Sequence, residues 1–215
     1  MEFDKLVVSF LVDEVVGGFF ISVPPGHIAC LYDRGYGVLK KTWGPGLHLK
    51  IPFWQIAKLF NAQILEYTIT EGFDISHNKE ALGDKAINAN AANGKLIQVE
   101  GSILFRLDKQ RIPEIWENVG EDFVSKVVRP VSRSRIRSVL SELTVDQLSS
   151  YRPQVEKRIY QELNTIFQAK GLICEGFLLS EIKYLGDPHT AADDKVLYEK
   201  RDTEAQPKEE VKQKE

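Results

Sequence analysis

Between Val23 and Phe53 the chain interrupts its apolar runs with turn residues so often that only short strands fit. Val23-Pro24-Pro25-Gly26 precedes His27 to Tyr32, Arg34-Gly35-Tyr36-Gly37 follows it, and Trp43-Gly44-Pro45-Gly46 precedes Leu47 to Ile51. The two apolar runs are predicted as strands and the glycine-containing segments as tight connections. Glycine supplies backbone freedom in such turns, and nothing in the stretch calls for a ligand.

Further signatures lie in the same stretch and downstream. The first block reads Gly26-His27 before an apolar run, then Asp33-Arg34-Gly35, Gly37-Val38, Gly44-Pro45-Gly46-Leu47-His48 and Ile51-Pro52-Phe53. A second block runs from Gln98 to Ile182 through Phe105-Arg106-Leu107, Val119-Gly120-Glu121-Asp122-Phe123, Val127-Val128-Arg129-Pro130, Ser134-Arg135-Ile136-Arg137 and Leu178-Leu179-Ser180-Glu181-Ile182. In content and order the two blocks resemble the SPFH (band 7) domain shared by stomatins, prohibitins, flotillins and the HflK/HflC pair, with prohibitins the best match. The resemblance implies a non-enzymatic, membrane-associated scaffold that self-associates, as a homo-oligomer or with a related SPFH subunit. It implies organisation of membrane microdomains or regulation of AAA+ membrane proteases, and it implies no cofactor.

A chain of 215 residues with 43% hydrophobic content can bury a substantial core as one large or two small domains. Its formal charge of -3 gives no general attraction to nucleic acid, whose phosphates need a concentrated excess of Lys and Arg. Cys30 and Cys174 do not make a disulfide framework and suit a reducing compartment, such as the cytoplasmic face of a membrane.

The amino-terminal segment sets two energies against each other. The large apolar residues from Leu6 to Val23 are worth about 4 to 7 kcal/mol in a membrane span, whereas Asp13 and Glu14 each cost about 2.5 to 3.5 kcal/mol at mid-bilayer. Ser9, Gly17, Gly18 and Ser22 add to the cost. The sum disfavours a stable span and favours shallow contact, with Phe10, Leu11, Val12, Phe19, Phe20 and Ile21 touching lipid. Trp43, Phe53, Trp54 and Phe60, near the glycine turns, are expected to pack the core, the alternative being that Phe53 and Trp54 lie at the membrane interface beside Phe19 and Phe20, a zone that aromatic rings prefer. Burial of the whole segment as a strand or helix on the domain is the other reading.

The expected division is an apolar membrane-contacting segment at 1–23, a strand-rich first subdomain with a polar loop at 24–94, an α+β second subdomain at 95–186 and a disordered charged tail at 187–215. Residues 74–94, rich in Ala, Asn and Gly, are expected as a solvated hairpin loop or a short irregular connection. Lys95 to Leu107 is predicted as a strand with a bulge at Gly101. Pro113 opens a short helix that Gly120 closes. Glu121 to Leu143 is a helix that Pro130 kinks or splits. Thr144 with Gln147 forms a capping box, Pro153 to Lys170 is an amphipathic helix ended by Gly171, and Leu172 to Tyr184 is a last strand. Helices beside strands without βαβ alternation indicate α+β. Pro188 and Pro207 punctuate a polar end without heptads, so assembly is expected to use the folded domain, including the 74–94 loop and the 153–170 helix.

No candidate active site emerges. His27 and Cys30 fall on opposite faces of a strand and cannot share a metal without a bulge. Nucleophile elbows, phosphate loops and H-E-x-x-H helices are absent, and nothing indicates a small-molecule substrate. Lys126, Arg129, Arg133 and Arg137, spaced three, four and four, make one helical stripe that suits anionic headgroups or an acidic neighbour. The alternative is a solvated face with ion pairs to Glu121, Asp122 and Glu142. Three functions stay open: a membrane scaffold, a soluble binding module that keeps the fold without membrane contact, and a hydrolase for which no motif speaks.

Overall fold

The computed structural model describes residues 18–73 and 82–186. The expectations for Phe10, Leu11 and Val12, for the first part of the polar loop and for the charged tail lie outside these residues.

The fold is α+β. Strands β2 (His27–Asp33), β3 (Gly37–Trp43) and β5 (Gln55–Asn61) form an antiparallel sheet in the order β3-β2-β5. Strands β1 (Phe20–Val23) and β4 (Gly46–Leu49) form a separate antiparallel pair, and β1 touches β2. The largest sheet runs β10 (Leu172–Gly186), β9 (Leu96–Leu107), β6 (Leu65–Ile69), β7 (Gly83–Asp84), with β8 (Ile87–Asn90) also paired to β9.

Within the segment expected as a solvated hairpin loop or irregular connection, residues 83–84 and 87–90 are strands. Ala86 between them and the inward positions Ile87 and Ala89 of β8 are buried. The segment reads as loop because Ala, Asn and Gly have weak strand propensity, and the partners that order it, β6 for β7 and β9 for β8, supply hydrogen bonds that local composition does not announce. β6 to β8 share a sheet with β9 and β10, so residue 94 is not a sheet boundary.

Helix α1 (Ile112–Asn118) ends where Gly120, at φ 87°, returns its N–H to Ile115 O. The segment carrying Pro130 is neither broken nor sharply split. A π-helical turn at Val124–Val128 runs into α2 (Arg129–Ser141), which places Pro130 in the first turn of the α-helical part, where its missing N–H costs little. The capping box at α3 (Val145–Ser150) has both bonds, Gln147 N to Thr144 Oγ1 at 3.4 Å and Thr144 N to Gln147 Oε1 at 3.0 Å. Helix α4 (Arg152–Ala169) buries Val155, Ile159, Leu163 and Phe167 and packs on β10.

One hydrophobic cluster joins Ile28, Cys30 and Phe60 of the first sheet to the large sheet and the helices. The Phe60 and Trp116 rings meet edge to face at 6.1 Å between the first sheet and α1. The bulge expected at Gly101 lies on the partner strand instead: β9 is unbroken, and β10 carries register shifts, one of them between Leu179 and Glu181 opposite Gly101 and Glu100. A Cβ at Gly101 would stand 2.5 Å from Leu178 O, so the glycine is needed for the close approach of β10.

Candidate functional site

Strand pairing decides which residues of β1 and β4 share a face. Phe20 lies opposite Leu49 and Ser22 opposite Leu47, so these four point one way, while Ile21, Val23 and His48 point the other. Val23 is buried. On the outer face Phe20, Leu47 and Leu49 are 47%, 69% and 64% exposed. The pair is therefore inverted relative to an ordinary surface hairpin, with apolar side chains presented to the outside.

The apolar face continues into the turn after β4. Lys50 N donates to Phe19 O at 2.7 Å, and Pro52 Cβ approaches Gly18 closely enough that a Cβ there would stand 3.2 Å away. Gln55 closes the turn twice, its N–H on Ile51 O at 2.9 Å and its Oε1 accepting from Ile51 N at 3.1 Å. At the apex Phe53 takes φ 62°, the single non-glycine residue with positive φ among the described residues, and its side chain is 76% exposed. That conformation costs about 1 to 2 kcal/mol for an L-residue with a Cβ. A strained backbone that exposes a phenyl ring brings no packing gain within the chain. Ile51 and Trp54 are exposed beside it.

Asp33 holds this turn in place. Its Oδ1 accepts from Gly35 N at 2.8 Å, Tyr36 N at 3.2 Å and Trp54 Nε1 at 3.1 Å, and its Oδ2 accepts from Gln55 Nε2 at 3.0 Å. The Gln55 bond, followed by that from Gly35, holds the Asp33 carboxyl below its ordinary pKa. Sequence reading placed Phe19, Phe20 and Ile21 here, with Ile21 half-buried on the inner face, and expected Phe53 and Trp54 chiefly in the core, whereas both are exposed. It missed Leu47, Leu49 and Ile51, because alternation along a strand does not say which face is covered. It also missed Asp33, whose signal was the Asp-x-Gly turn within the motif.

The basic stripe is committed within the domain. Lys126 Nζ donates to Val119 O at 2.7 Å. Arg129 donates to Gly83 O at 3.3 Å, Arg133 to Lys85 O at 3.2 Å and Arg137 to Asn88 O at 3.0 Å. Three successive turns of α2 thus reach carbonyls along the β7–β8 edge, and Arg129 and Arg133 also share Asp84, at 3.5 and 2.9 Å. The fully buried Tyr67 lies beside Arg129, and burial pushes its phenol pKa up. The local acids suggested as partners pair elsewhere: Glu121 with Lys58 at 2.7 Å and Glu142 with Arg158.

Across the large sheet, Lys183 of β10 bridges Glu100 at 3.1 Å and Glu71 at 3.2 Å, and Thr70 Oγ1 donates to Glu100 at 2.9 Å. Burial raises the Glu100 pKa, but the bonds from Thr70 and Lys183 outweigh it and the net shift is downward. Cys30 and Cys174 are buried free thiols whose pKa burial pushes up to about 11, which makes them poor nucleophiles. Among the described residues no cluster of His, Cys, Asp or Glu is arranged to hold a metal, and no helix is long and apolar enough to cross a membrane.

The sequence model of the SPFH domain / Band 7 family matches residues 21–215. This chain belongs to that family. It is 25% identical over 142 residues to the mitochondrial Prohibitin-4 of Arabidopsis thaliana, covering 66% of this chain and 45% of the relative. Mitochondrial Prohibitin-3 of the same plant is 22% identical over 170 residues, covering 79% and 56%. Prohibitin 1 of Gallus gallus is 24% identical over 170 residues, covering 79% and 57%. The chain spans about half the length of these curated relatives. The SPFH-like α+β fold and the kinship to prohibitins agree with the sequence reading, and the family is one of scaffolds more than of enzymes.

Proposed function

We propose that this SPFH protein is a non-enzymatic scaffold that rests on a membrane surface through the β1–β4 tip and self-associates there. The observation that carries the reading is the outward apolar face of Phe20, Leu47 and Leu49, continued by Ile51, Phe53 and Trp54. Half-burying a large apolar side chain contributes about 1 kcal/mol, so these six supply about 6 kcal/mol. That corresponds to an association constant of about 10⁴ M⁻¹, the strength of a single acyl anchor. One copy binds reversibly. Several copies side by side hold the surface much more firmly, because each further contact forms at high effective concentration.

Weak single-site binding is therefore the physical reason for a scaffold of this kind to assemble. The contacts between copies fall to the folded domain, and a membrane-embedded client, including an AAA+ protease, meets an assembly that is already concentrated in the plane of the membrane. With Arg129 and Arg133 paired to Asp84, the guanidinium of the basic stripe that has no ion pair among the described residues is that of Arg137, whose Nε donates to Asn88 O.

Co-flotation of the full chain with liposomes, measured against protein density on the vesicle, tests both parts. The expected result is steeply density-dependent flotation that Phe19→Asp with Phe20→Asp abolishes. Flotation that rises linearly with density and ignores the double substitution contradicts the reading.

A further inference from the structure

Alternation along β8 divides its main chain into two sides. Ile87 and Ala89 pair with Val99 and Ile97 of β9, and Ala91 N closes the hairpin on Lys95 O at 2.9 Å. The main-chain groups of Asn88 and Asn90 therefore point away from β9. On that side no strand pairs with β8 among the described residues.

Two contacts close this edge at its ends: Arg137 Nε on Asn88 O at 3.0 Å, and Ala92 N on Leu143 O at 2.9 Å. Between them lie the outward main-chain groups of Asn90, with the N–H of Asn88 just before the first, and Asn88 and Asn90 line an open cavity of about 420 Å³ together with Leu96, Ser134, Arg137 and Ser138. The stretch from Asn88 to Ala92 is about 13 Å long at strand rise, which is room for three or four extended residues. No acidic residue lines the cavity. Arg137, unlike Arg129 and Arg133, has no ion pair among the described residues.

We propose that this window binds an extended acidic peptide that adds to β8 as a short strand. The peptide main chain pairs with Asn88 and Asn90, one of its N–H groups replaces Arg137 on the Asn88 carbonyl, and the released guanidinium pairs with a peptide carboxylate. Unpaired edge groups supply the affinity, and the acid-free wall with Arg137 supplies the charge preference. A small oxyanion reaches Arg137 but cannot use edge groups spread over this length.

Full-length ¹⁵N-labelled protein is titrated with a capped heptapeptide of alternating threonine and valine around a central glutamate, and with its central-lysine counterpart. The expected result is saturable movement of the Asn88 and Asn90 amide resonances, with the glutamate peptide about fivefold tighter, the scale of an exposed ion pair. Arg137→Gln keeps a donor for the Asn88 carbonyl and should erase that preference. Ser138→Glu, at an exposed position, should reverse it. Absence of shifts at millimolar peptide overturns the proposal, as does equal affinity for the two peptides. Stronger binding of both peptides to Arg137→Gln makes Arg137 a guard of the edge only, and shifts that follow protein concentration without peptide assign the window to a second copy; either result overturns it.

Discussion

Asp33 is the residue on which the exposed turn depends. Four donors converge on one carboxylate, two of them from Trp54 and Gln55, so its loss frees the turn from the end of β2. Because its folded pKa is depressed, its contribution to stability is present above the unfolded carboxylate pKa and disappears as pH falls through the folded value. Thermal unfolding of wild type and Asp33→Asn should therefore differ at neutral pH and converge in acid, below the ordinary carboxylate range. An equal difference at both pH values contradicts the assignment. Gly101 carries a second residue-level test. Gly101→Ala places a Cβ against Leu178 O and should cost about 1 to 3 kcal/mol in urea unfolding, the range for overpacking.

At the scale of elements, Arg129, Arg133 and Arg137 form a ladder that satisfies carbonyls of the β7–β8 edge. Arg133→Ala leaves Asp84 with the longer Arg129 contact and uncovers Lys85 O. It should lower stability by about 1 to 2 kcal/mol, the net worth of hydrogen bonds to a charged group, and speed amide exchange in β7 before that in β9. Exchange that accelerates uniformly contradicts the ladder. The spacing of the stripe was legible in the sequence, but its partners lie more than forty residues upstream and were not. Locally encoded elements were legible: the Thr144–Gln147 capping box, the Gly120 and Gly171 helix ends and the His27 strand each follow from a few neighbouring residues. β7 and β8 were not, since their order comes from β6 and β9. Nor was the outer face of β1–β4, since a strand over 47–51 does not say which of its faces is covered until the pairing is known.

The whole molecule combines a single core with an apolar tip that has no cover among the described residues. The core explains why the strand-rich and helical parts hold together: Phe60, Trp116 and the residues of β9 pack in one cluster, and Lys183 ties β10 to β9 and to the end of β6. The tip has no such internal role, and a surface of this character on a soluble face is costly unless something covers it. The chain's place in the SPFH family and its prohibitin relatives agree with a scaffold, and the energy estimate makes binding of one copy to a membrane weak. Light scattering on liposomes should accordingly show clustering that grows with surface density, and little association in solution at the same bulk concentration. The most direct measurement is liposome co-flotation of the full chain carrying Leu49→Asp and Phe53→Asp, two exposed positions whose replacement leaves the core untouched. Wild-type protein should float at moderate salt and the variant remain at the bottom with a stability no lower than wild type's, since Asp tolerates the positive φ at 53 better than Phe; a variant that floats as well as wild type contradicts membrane docking through this tip.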